Sequence, residues 1–311
     1  YLSVGLRTAL HPMSDLATEP RWSRNFGTFG SNADLSSDFT IAYMDGFQGK
    51  KINSNSVLTM VKHFPGGGPQ EEGFDPHLYS GQNQVYPGNN FEYHLKPFKR
   101  AINNNLKVIM PYYGIPVDQT SENVAMAYNK DILTHLLRDK LGYDGVICTD
   151  WGIITGRHWG VGDLTLRERY KKSIDAGVDQ YGGESSPEYL VDLVKKNEIS
   201  EDRINYSVKK ILINKFELGL FDNPFVDENL VAKRVGTEVF IKKGLTAQKK
   251  SIVLLKNQID NNKEILPLKK NIKIFVDGFD KKEINKYCET TDDPKDSDYI
   301  IVQFRTVFNG N

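Results

Sequence analysis

Asp150 is the residue whose type and position point most directly to chemistry. It follows the short apolar run Gly145–Cys148 and precedes Trp151. A β-branched run bounded by glycine is typical of a buried strand, so this carboxylate would sit on a rigid element. Such a carboxylate could attack a glycoside as a nucleophile, and the adjacent indole could cover the apolar face of a sugar ring. Capping of the following loop is the alternative explanation from local sequence.

Basic groups occur in two further segments. Lys62 and His63 end a second apolar run, and this cation beside an imidazole could donate hydrogen bonds to sugar hydroxyls, or the lysine could simply be solvated. Arg24 and Arg21 flank Trp22, an arrangement that suits a carbohydrate or carboxylate clamp and equally suits a surface ion pair. Local sequence leaves both alternatives open for each segment.

Asp75 and His77 could form a carboxylate–imidazole dyad, or could order their own loop. The chain has two cysteines, and no Cys/His cluster has the spacing of metal ligands. We therefore predict no metal site.

Four apolar runs of strand length each end in polar or aromatic residues: Val57–Val61, Leu106–Met110, Gly145–Cys148 and Ala176–Asp179. Helical patterns occur at Phe91–Asn104, Asp131–Lys140, Leu166–Ala176, Pro187–Lys196 and Ser200–Leu218. This alternation predicts an α/β fold with a parallel sheet and crossover helices. Polar groups follow all four runs, and no GxGxxG occurs, so a (β/α)8 TIM-type barrel is favoured over a doubly wound sheet.

The barrel pattern breaks near Gly219, where Pro224 marks a turn. We predict a catalytic barrel over residues 1–222, a linker over 223–245 and the beginning of a second α/β sandwich domain over 246–311. The sequence begins at Tyr1, with neither an initiator methionine nor a signal peptide. We therefore interpret the chain as a fragment that lacks the N-terminal part of its barrel. The rest of the polypeptide, or a complementary chain, would then complete the site.

Bulk composition argues against some partners. Lys plus Arg and Asp plus Glu both total 40, so the formal net charge is zero and nucleic acid is not an expected partner. No apolar run is long enough to suggest a membrane span. The compartment stays open, with a secreted or periplasmic location favoured over a cytoplasmic one.

Taken together, the motifs resemble those of glycoside hydrolase family 3, in its β-glucosidase-like branch. The motifs that carry the resemblance are PRWSRNFGTFG, GFQG, KHFPGGGP, VIMPYYG, GYDGVICTDWG and AGVDQYGG. It extends over Pro20–Asn223, and Ala247–Leu268 resembles the opening of the family's second domain. The resemblance implies a (β/α)8-type barrel followed by an α/β sandwich, and exo-acting cleavage of β-linked sugars with retention. No cofactor is implied.

The resemblance also implies roles for individual residues. Asp150 would be the nucleophile and Trp151 would line the sugar site. Tyr113 would lie near the nucleophile, with Tyr112 as an alternative register. The residues that would hold hydroxyls of the terminal sugar are Arg24, Lys62 and His63.

The predicted function is therefore a retaining exo-β-glycosidase, a β-glucosidase, that hydrolyses terminal β-linked glucose from oligosaccharides through a covalent glycosyl-aspartate. In many such enzymes the acid/base glutamate comes from the second domain, at a position that would lie beyond Asn311. The first alternative is a β-N-acetylglucosaminidase with Asp75 and His77 as its acid/base dyad. The second is a non-catalytic carbohydrate-binding protein. An aspartate that binds distal hydroxyls in the family would precede Tyr1.

Overall fold

The computed structural model describes residues 1–257, 264–269 and 271–304. The chain divides into two compact units, Tyr1–Gly236 and Thr237–Asn311. Each unit is described separately below. Within the described part of the chain, no helix is both long and apolar enough to cross a membrane.

The first unit is built on parallel strands. Its strands are β1 Thr8–Ala9, β2 Leu58–Phe64, β3 Asn83–Gln84, β4 Val108–Pro111, β5 Ile115–Pro116 and β6 Val146–Ile147. Strands β1, β2, β4 and β6 form one sheet in that order, and every neighbouring pair is parallel. Strands β3 and β5 form a separate parallel pair. Because parallel strands end at the same edge, the carboxyl ends of β2, β4 and β6 lie side by side.

Helices lie between the strands of this unit and also follow its last strand, β6. They are α1 Ala33–Gln48, α2 Phe91–Asn103, the π-helix Asp131–Lys140, α3 Leu166–Ala176, α4 Glu188–Lys195, α5 Glu201–Glu217 and α6 Val231–Arg234. Short 3₁₀ helices lie at Leu2–Val4, Asn25–Gly27, Glu71–Gly73, Tyr79–Gly81, Met126–Tyr128 and Glu228–Leu230. Local sequence explains several helix starts: the Asn32 side chain caps α1, and Thr165 and Glu168 form a reciprocal capping box at α3.

The sheet is buried on both faces. Successive residues of a strand point to opposite sides, so Val61 joins the large core beneath the helices while its neighbour Met60 joins a second, smaller cluster. This smaller cluster also includes Val108, Val146 and Cys148, and its face of the sheet borders a cavity of about 290 Å³. The near-continuous apolar runs of the sequence follow from this double burial.

The predicted α/β fold with a parallel sheet is confirmed, but two details of the prediction are wrong. Strand β2 continues to Phe64, so Lys62 and His63 lie within the strand rather than after it. The fourth predicted strand is reduced to one bridge between Cys148 and Gln180. The Asp179 carboxylate accepts a hydrogen bond from the backbone N–H of Ile147, so a side chain takes the place of the backbone carbonyl that a neighbouring strand would supply.

The helix predictions hold at Phe91–Asn103 and Leu166–Ala176 to within a residue, whereas Asp131–Lys140 has the predicted bounds but is wound as a π-helix. Neither β1 nor α1 was predicted. Strand β1 has only two residues, too few to show any periodicity.

The second unit contains α7 Glu238–Lys250, β7 Lys273–Asp277, α8 Lys281–Ile284, β8 Glu289–Thr291, a 3₁₀ helix Pro294–Asp296 and β9 Tyr299–Val302. Its strands form a parallel sheet in the order β8-β7-β9. The unit boundary after Gly236 falls inside the predicted linker, most of which is occupied by α6 and the start of α7. Residues 258–263, 270 and 305–311 of the predicted second domain lie outside the described residues.

Candidate active site

Asp150 lies three residues beyond the end of β6, at the edge where the parallel strands finish. Its Oδ1 accepts hydrogen bonds from the Tyr113 hydroxyl at 2.8 Å and from the Trp151 N–H at 3.1 Å. Its Oδ2 lies 3.6 Å from Nε2 of His63, and the side chain is 14% exposed. One oxygen is therefore fixed by two donors, while the carboxylate keeps access to solvent and to a ligand.

His63 is fully buried, and its ring nitrogen away from Asp150 is hydrogen-bonded to a second carboxylate, that of Asp15. Its Nδ1 lies 2.8 Å from Oδ2 of Asp15, which is also fully buried. Burial lowers the pKa of His63 below its ordinary value, which outweighs the opposing effect of Asp15. The imidazole is thus neutral at neutral pH. The Lys62–His63 peptide bond is cis.

The two arginines around Trp22 have different environments. Arg21 is 57% exposed and forms surface ion pairs with Glu19 and Glu72. Arg24 points inward: its Nη1 donates to the Tyr112 hydroxyl at 2.8 Å, and its Nη2 lies 3.4 Å from Nε2 of His63. The surface ion pair is therefore found at Arg21, whereas Arg24 contacts buried residues of the candidate site, and its role as a clamp stays a prediction.

Asp75 and His77 form the predicted dyad geometry. Asp75 Oδ1 accepts hydrogen bonds from the backbone N–H of His77 at 3.0 Å and from its Nδ1. Asp75 Oδ2 accepts from Nε1 of Trp22 at 2.8 Å and from the Tyr112 hydroxyl at 2.9 Å. The His77 ring packs edge-on against Tyr113, with centroids 4.8 Å apart. The dyad therefore shares a tyrosine contact with Asp150.

Asp75 should stabilise the fold in a pH-dependent way. Burial alone would raise the pKa of this carboxyl, but the hydrogen bonds from His77 and Trp22 outweigh it and lower the pKa below its ordinary value of 3.8. The unfolded chain therefore binds more protons at acidic pH, so the stabilisation is present above about pH 4 and is lost as the pH falls further. Asp75→Asn should lower Tm by roughly 2–10 °C at pH 7, and by less at pH 3, because part of this stabilisation is already lost there.

Thermal unfolding followed by circular dichroism at both pH values measures this difference. The exposed carboxylate of Asp163 provides the matched control, since Asp163→Asn should leave Tm nearly unchanged at either pH. An equal loss of Tm at pH 7 and pH 3 in the Asp75→Asn variant would contradict the assignment of an ionised, hydrogen-bonded carboxylate.

The two adjacent tyrosines serve different carboxylates. Tyr113 donates to Asp150 and also to the carbonyl of Trp151 at 2.6 Å, whereas Tyr112 bridges Arg24 and Asp75. Burial, and then the nearby Asp150 charge, raise the pKa of Tyr113, so its hydroxyl stays protonated and donates. Of the two registers left open by the sequence, the structure places Tyr113 beside Asp150.

Lys62 and Trp151 complete the set of residues that the sequence suggested. Burial lowers the pKa of Lys62, against the opposing attraction of Asp150. The Trp151 ring lies against Gly182 and Gly183, where a Cβ would come within 2.5 Å and 2.4 Å of ring atoms. Trp151 as a whole is 40% exposed, so the two glycines let its ring lie against the loop while part of the residue stays accessible.

Sequence reasoning missed Asp15 and Arg157. Asp15 follows the two-residue strand β1 in an unremarkable segment, HPMSD, and only its burial against His63 identifies it. Arg157 lies over the Tyr113 ring at 5.1 Å, and its Nη1 donates to the Trp151 carbonyl at 3.3 Å. Among the described residues, no group of acidic, histidine and cysteine side chains could hold a metal ion.

Enzymes with parallel sheets carry their catalytic groups beyond the carboxyl ends of the strands, and a carboxylate placed there can serve as the nucleophile of a glycoside hydrolase. The family model for the glycosyl hydrolase family 3 N-terminal domain matches residues 1–213. The chain belongs to glycosyl hydrolase family 3.

Individual relatives agree with this membership. A probable β-glucosidase C from Aspergillus flavus is 47% identical over 99% of this chain and 50% of its own length. The β-glucosidase C of Emericella nidulans is 49% identical over 90% of this chain and 47% of its own. The crystal structure of a β-glucosidase from Listeria innocua superposes with a TM-score of 0.75 at 27% identity, covering 89% of this chain and 38% of that one. The chain thus spans about half the length of these curated relatives.

Proposed function

We propose that the complete protein is a retaining exo-β-glucosidase that releases terminal β-linked glucose from oligosaccharides or simpler β-glucosides. The observation that carries the proposal is the placement of Asp150 at the edge of the sheet, with one oxygen held by Tyr113 and the other facing His63. The relatives described as β-glucosidases support the choice of glucose.

In the proposed mechanism, Asp150 Oδ2 attacks the anomeric carbon while an acid/base group, His77 or one from additional polypeptide, gives a proton to the leaving oxygen. The bond to that oxygen breaks and a glycosyl-aspartate of inverted configuration forms. Water then gives a proton back to the acid/base group, attacks the same carbon from the opposite side, releases the carboxylate and restores the original configuration. Tyr113 holds Oδ1, so the attacking oxygen is presented in one orientation. Lys62, His63 and Arg24 would hold hydroxyls of the terminal sugar.

We further propose that the four-stranded sheet is part of a (β/α)8 barrel over residues 1–222, followed by a linker and the opening of an α/β sandwich domain. The apolar face that includes Met60, Val108 and Val146 supports the barrel, since it borders a cavity of about 290 Å³ that further strands would fill. Additional polypeptide would then complete the site.

The direct experiment is a screen of aryl β-glucoside, β-xyloside and β-N-acetylglucosaminide with the complete protein. Preference for the glucoside supports the proposal, and preference for the N-acetylglucosaminide supports the second candidate. A 2-deoxy-2-fluoro-glucoside should trap the covalent intermediate, which mass spectrometry would detect as an added glycosyl group on the peptide that contains Asp150. Binding without hydrolysis and without trapping would instead indicate a non-catalytic carbohydrate-binding protein.

The second candidate, a β-N-acetylglucosaminidase that uses the Asp75–His77 dyad as acid/base, is favoured by one observation. The Nδ1 of His77 bonds to Asp75, the ring packs on Tyr113, and Tyr113 bonds to Asp150, so the dyad lies in the neighbourhood of the nucleophile. The side chain of His77 is 38% exposed, so it can reach a ligand.

His77→Ala should separate these possibilities through its dependence on the leaving group. If His77 supplies the acid, kcat/KM should fall by roughly 100- to 10,000-fold for an alkyl glycoside but only slightly for a dinitrophenyl glycoside, which departs without protonation. If the acid comes from elsewhere, both substrates should lose activity only modestly and to the same degree. His135, which pairs with Asp131 on the π-helix, provides a matched control, because His135→Ala removes a similar Asp–His pair whose histidine is exposed and has no contact with Asp150 or Tyr113 among those the structure shows.

A further inference from the structure

Asp15 is a fully buried carboxylate that the mechanism above does not use. Its Oδ1 accepts hydrogen bonds from the backbone N–H of Gly67 and, at 3.2 Å, from that of His63. Its Oδ2 accepts from Nδ1 of His63 at 2.8 Å and from the His63 N–H at 3.2 Å. Burial would raise the pKa of Asp15, but the His63 and Gly67 interactions outweigh it and lower the pKa. The group is therefore ionised and accepts only.

This arrangement decides which nitrogen of the neutral His63 ring carries the proton. An ionised carboxylate has no proton to give, so Nδ1 of His63 must be the donor, and Nε2 is left with its lone pair. Nε2 lies 3.4 Å from the Arg24 guanidinium, which can only donate, and a lone pair is the matching partner. A bare Nε2 cannot donate to Asp150, although Oδ2 of that residue is only 3.6 Å away.

We propose that Asp15 is a positioning residue that keeps His63 in the Nδ1-protonated tautomer, so that Nε2 stays an acceptor facing Arg24 and the attacking oxygen of Asp150 is not captured by the imidazole. The proposal rests on the proposed function for its catalytic consequence. The tautomer itself is a property of the protein without substrate, so it can be tested separately.

The same carboxylate also fixes the start of the loop that follows β2. A Cβ at Gly67 would lie 2.7 Å from Oδ1 of Asp15 and 2.8 Å from the Tyr112 ring, so only glycine fits at the position whose N–H donates to Asp15. Asp15 therefore holds the imidazole and the adjoining backbone together. The two backbone N–H groups at Oδ1 can only donate. An oxygen must therefore stay at this position in any substitution of Asp15 that keeps these hydrogen bonds.

Asp15→Asn should reverse the tautomer. The amide oxygen must stay opposite the N–H groups of Gly67 and His63, which places the amide NH2 opposite Nδ1 of His63. Nδ1 then accepts, the proton moves to Nε2, and Nε2–H donates to Asp150 and points at the Arg24 guanidinium. We expect kcat/KM on an aryl β-glucoside to fall roughly 10- to 100-fold.

Long-range ¹H–¹⁵N correlation spectra of the complete protein, with ¹⁵N-labelled histidine, report the tautomer directly. We expect a protonated Nδ1 and a bare Nε2 for His63 in the parent protein, and the exchanged pattern in Asp15→Asn. The matched control is Asp179→Asn, since Asp179 is equally buried and bonds to Arg138, Ser207 and a backbone N–H. That variant should lose stability but keep the His63 pattern and kcat/KM within a few-fold.

Asp15→Asn should also lose most of its effect in a His63→Ala background, because Asp15 acts through His63. Additive losses would overturn the positioning role. A parent protein with Nε2 protonated would overturn the proposal even if the Asp15→Asn variant failed to fold. A parent protein that hydrolyses no β-glucoside but shows the expected tautomer would refute the proposed function while leaving the tautomer assignment standing.

Discussion

Asp150→Ala should lower kcat for an aryl β-glucoside by at least about 10,000-fold in the complete protein, without loss of fold. The substitution removes the oxygen that attacks the anomeric carbon in the proposed mechanism, together with the hydrogen bond from Tyr113 to Asp150. Sodium azide should restore part of the activity, because a small anion can enter the space left by the carboxylate and attack the same carbon. Its product would be an α-glycosyl azide, of inverted configuration.

The control for this experiment is Asp163→Ala, which removes an exposed carboxylate from the loop that follows Trp151. It should keep parental kcat and KM. Activity of Asp150→Ala within a few-fold of the parent would refute the nucleophile assignment. Loss without azide rescue and without covalent trapping in the parent would favour a binding role for the carboxylate.

Arg24→Met should produce the second largest loss, roughly 100-fold in kcat/KM. The guanidinium donates to Tyr112 and approaches Nε2 of His63, so its loss leaves a buried phenol and an imidazole without their donor. A methionine of similar length fills the space but supplies no hydrogen bond. Steady-state kinetics on an aryl β-glucoside measure the change.

Arg21→Met is the matched comparison, since the same substitution three residues earlier removes only surface ion pairs with Glu19 and Glu72. Exposed pairs contribute little, so kcat/KM should stay within about two-fold of the parent. Equal losses in the two variants would show that Arg24 contributes through general stability rather than through the site.

The candidate site illustrates what local sequence can and cannot predict. Asp150 and Lys62 were found because each belongs to an apolar run whose length and flanking residues indicate a strand. Their exact relation to the strand was less accessible: Lys62 lies inside β2, since hydrogen bonds to a neighbouring chain segment extend the strand past its apolar residues. Tyr113 was preferred but Tyr112 stayed an alternative, because adjacent residues of one type differ only in the side to which the backbone turns them.

Other features depend on partners distant along the chain. Trp22 and Tyr112 meet at Asp75 from positions 53 and 37 residues away, and no local pattern predicts that meeting. Asp15 and His63 are 48 residues apart, and β1 is too short to have marked the aspartate as a strand-end residue. The fourth predicted strand failed because the Asp179 side chain occupies a hydrogen-bonding position that a strand carbonyl would normally take.

The Tyr112 hydroxyl joins Arg24 on one side to Asp75 on the other, and this has a consequence for engineering. Arg24 is proposed to hold the sugar, and Asp75 lies in the loop that bears His77. Because Tyr112 bonds to both, the two regions are structurally coupled. If residues 66–82 were replaced by those of another family member, the new loop would lose the hydrogen bonds from Trp22 and Tyr112 unless these two positions were matched to it. Specificity and leaving-group preference should therefore change together in variants of this chain, and libraries that vary the two regions jointly should outperform those that vary either one.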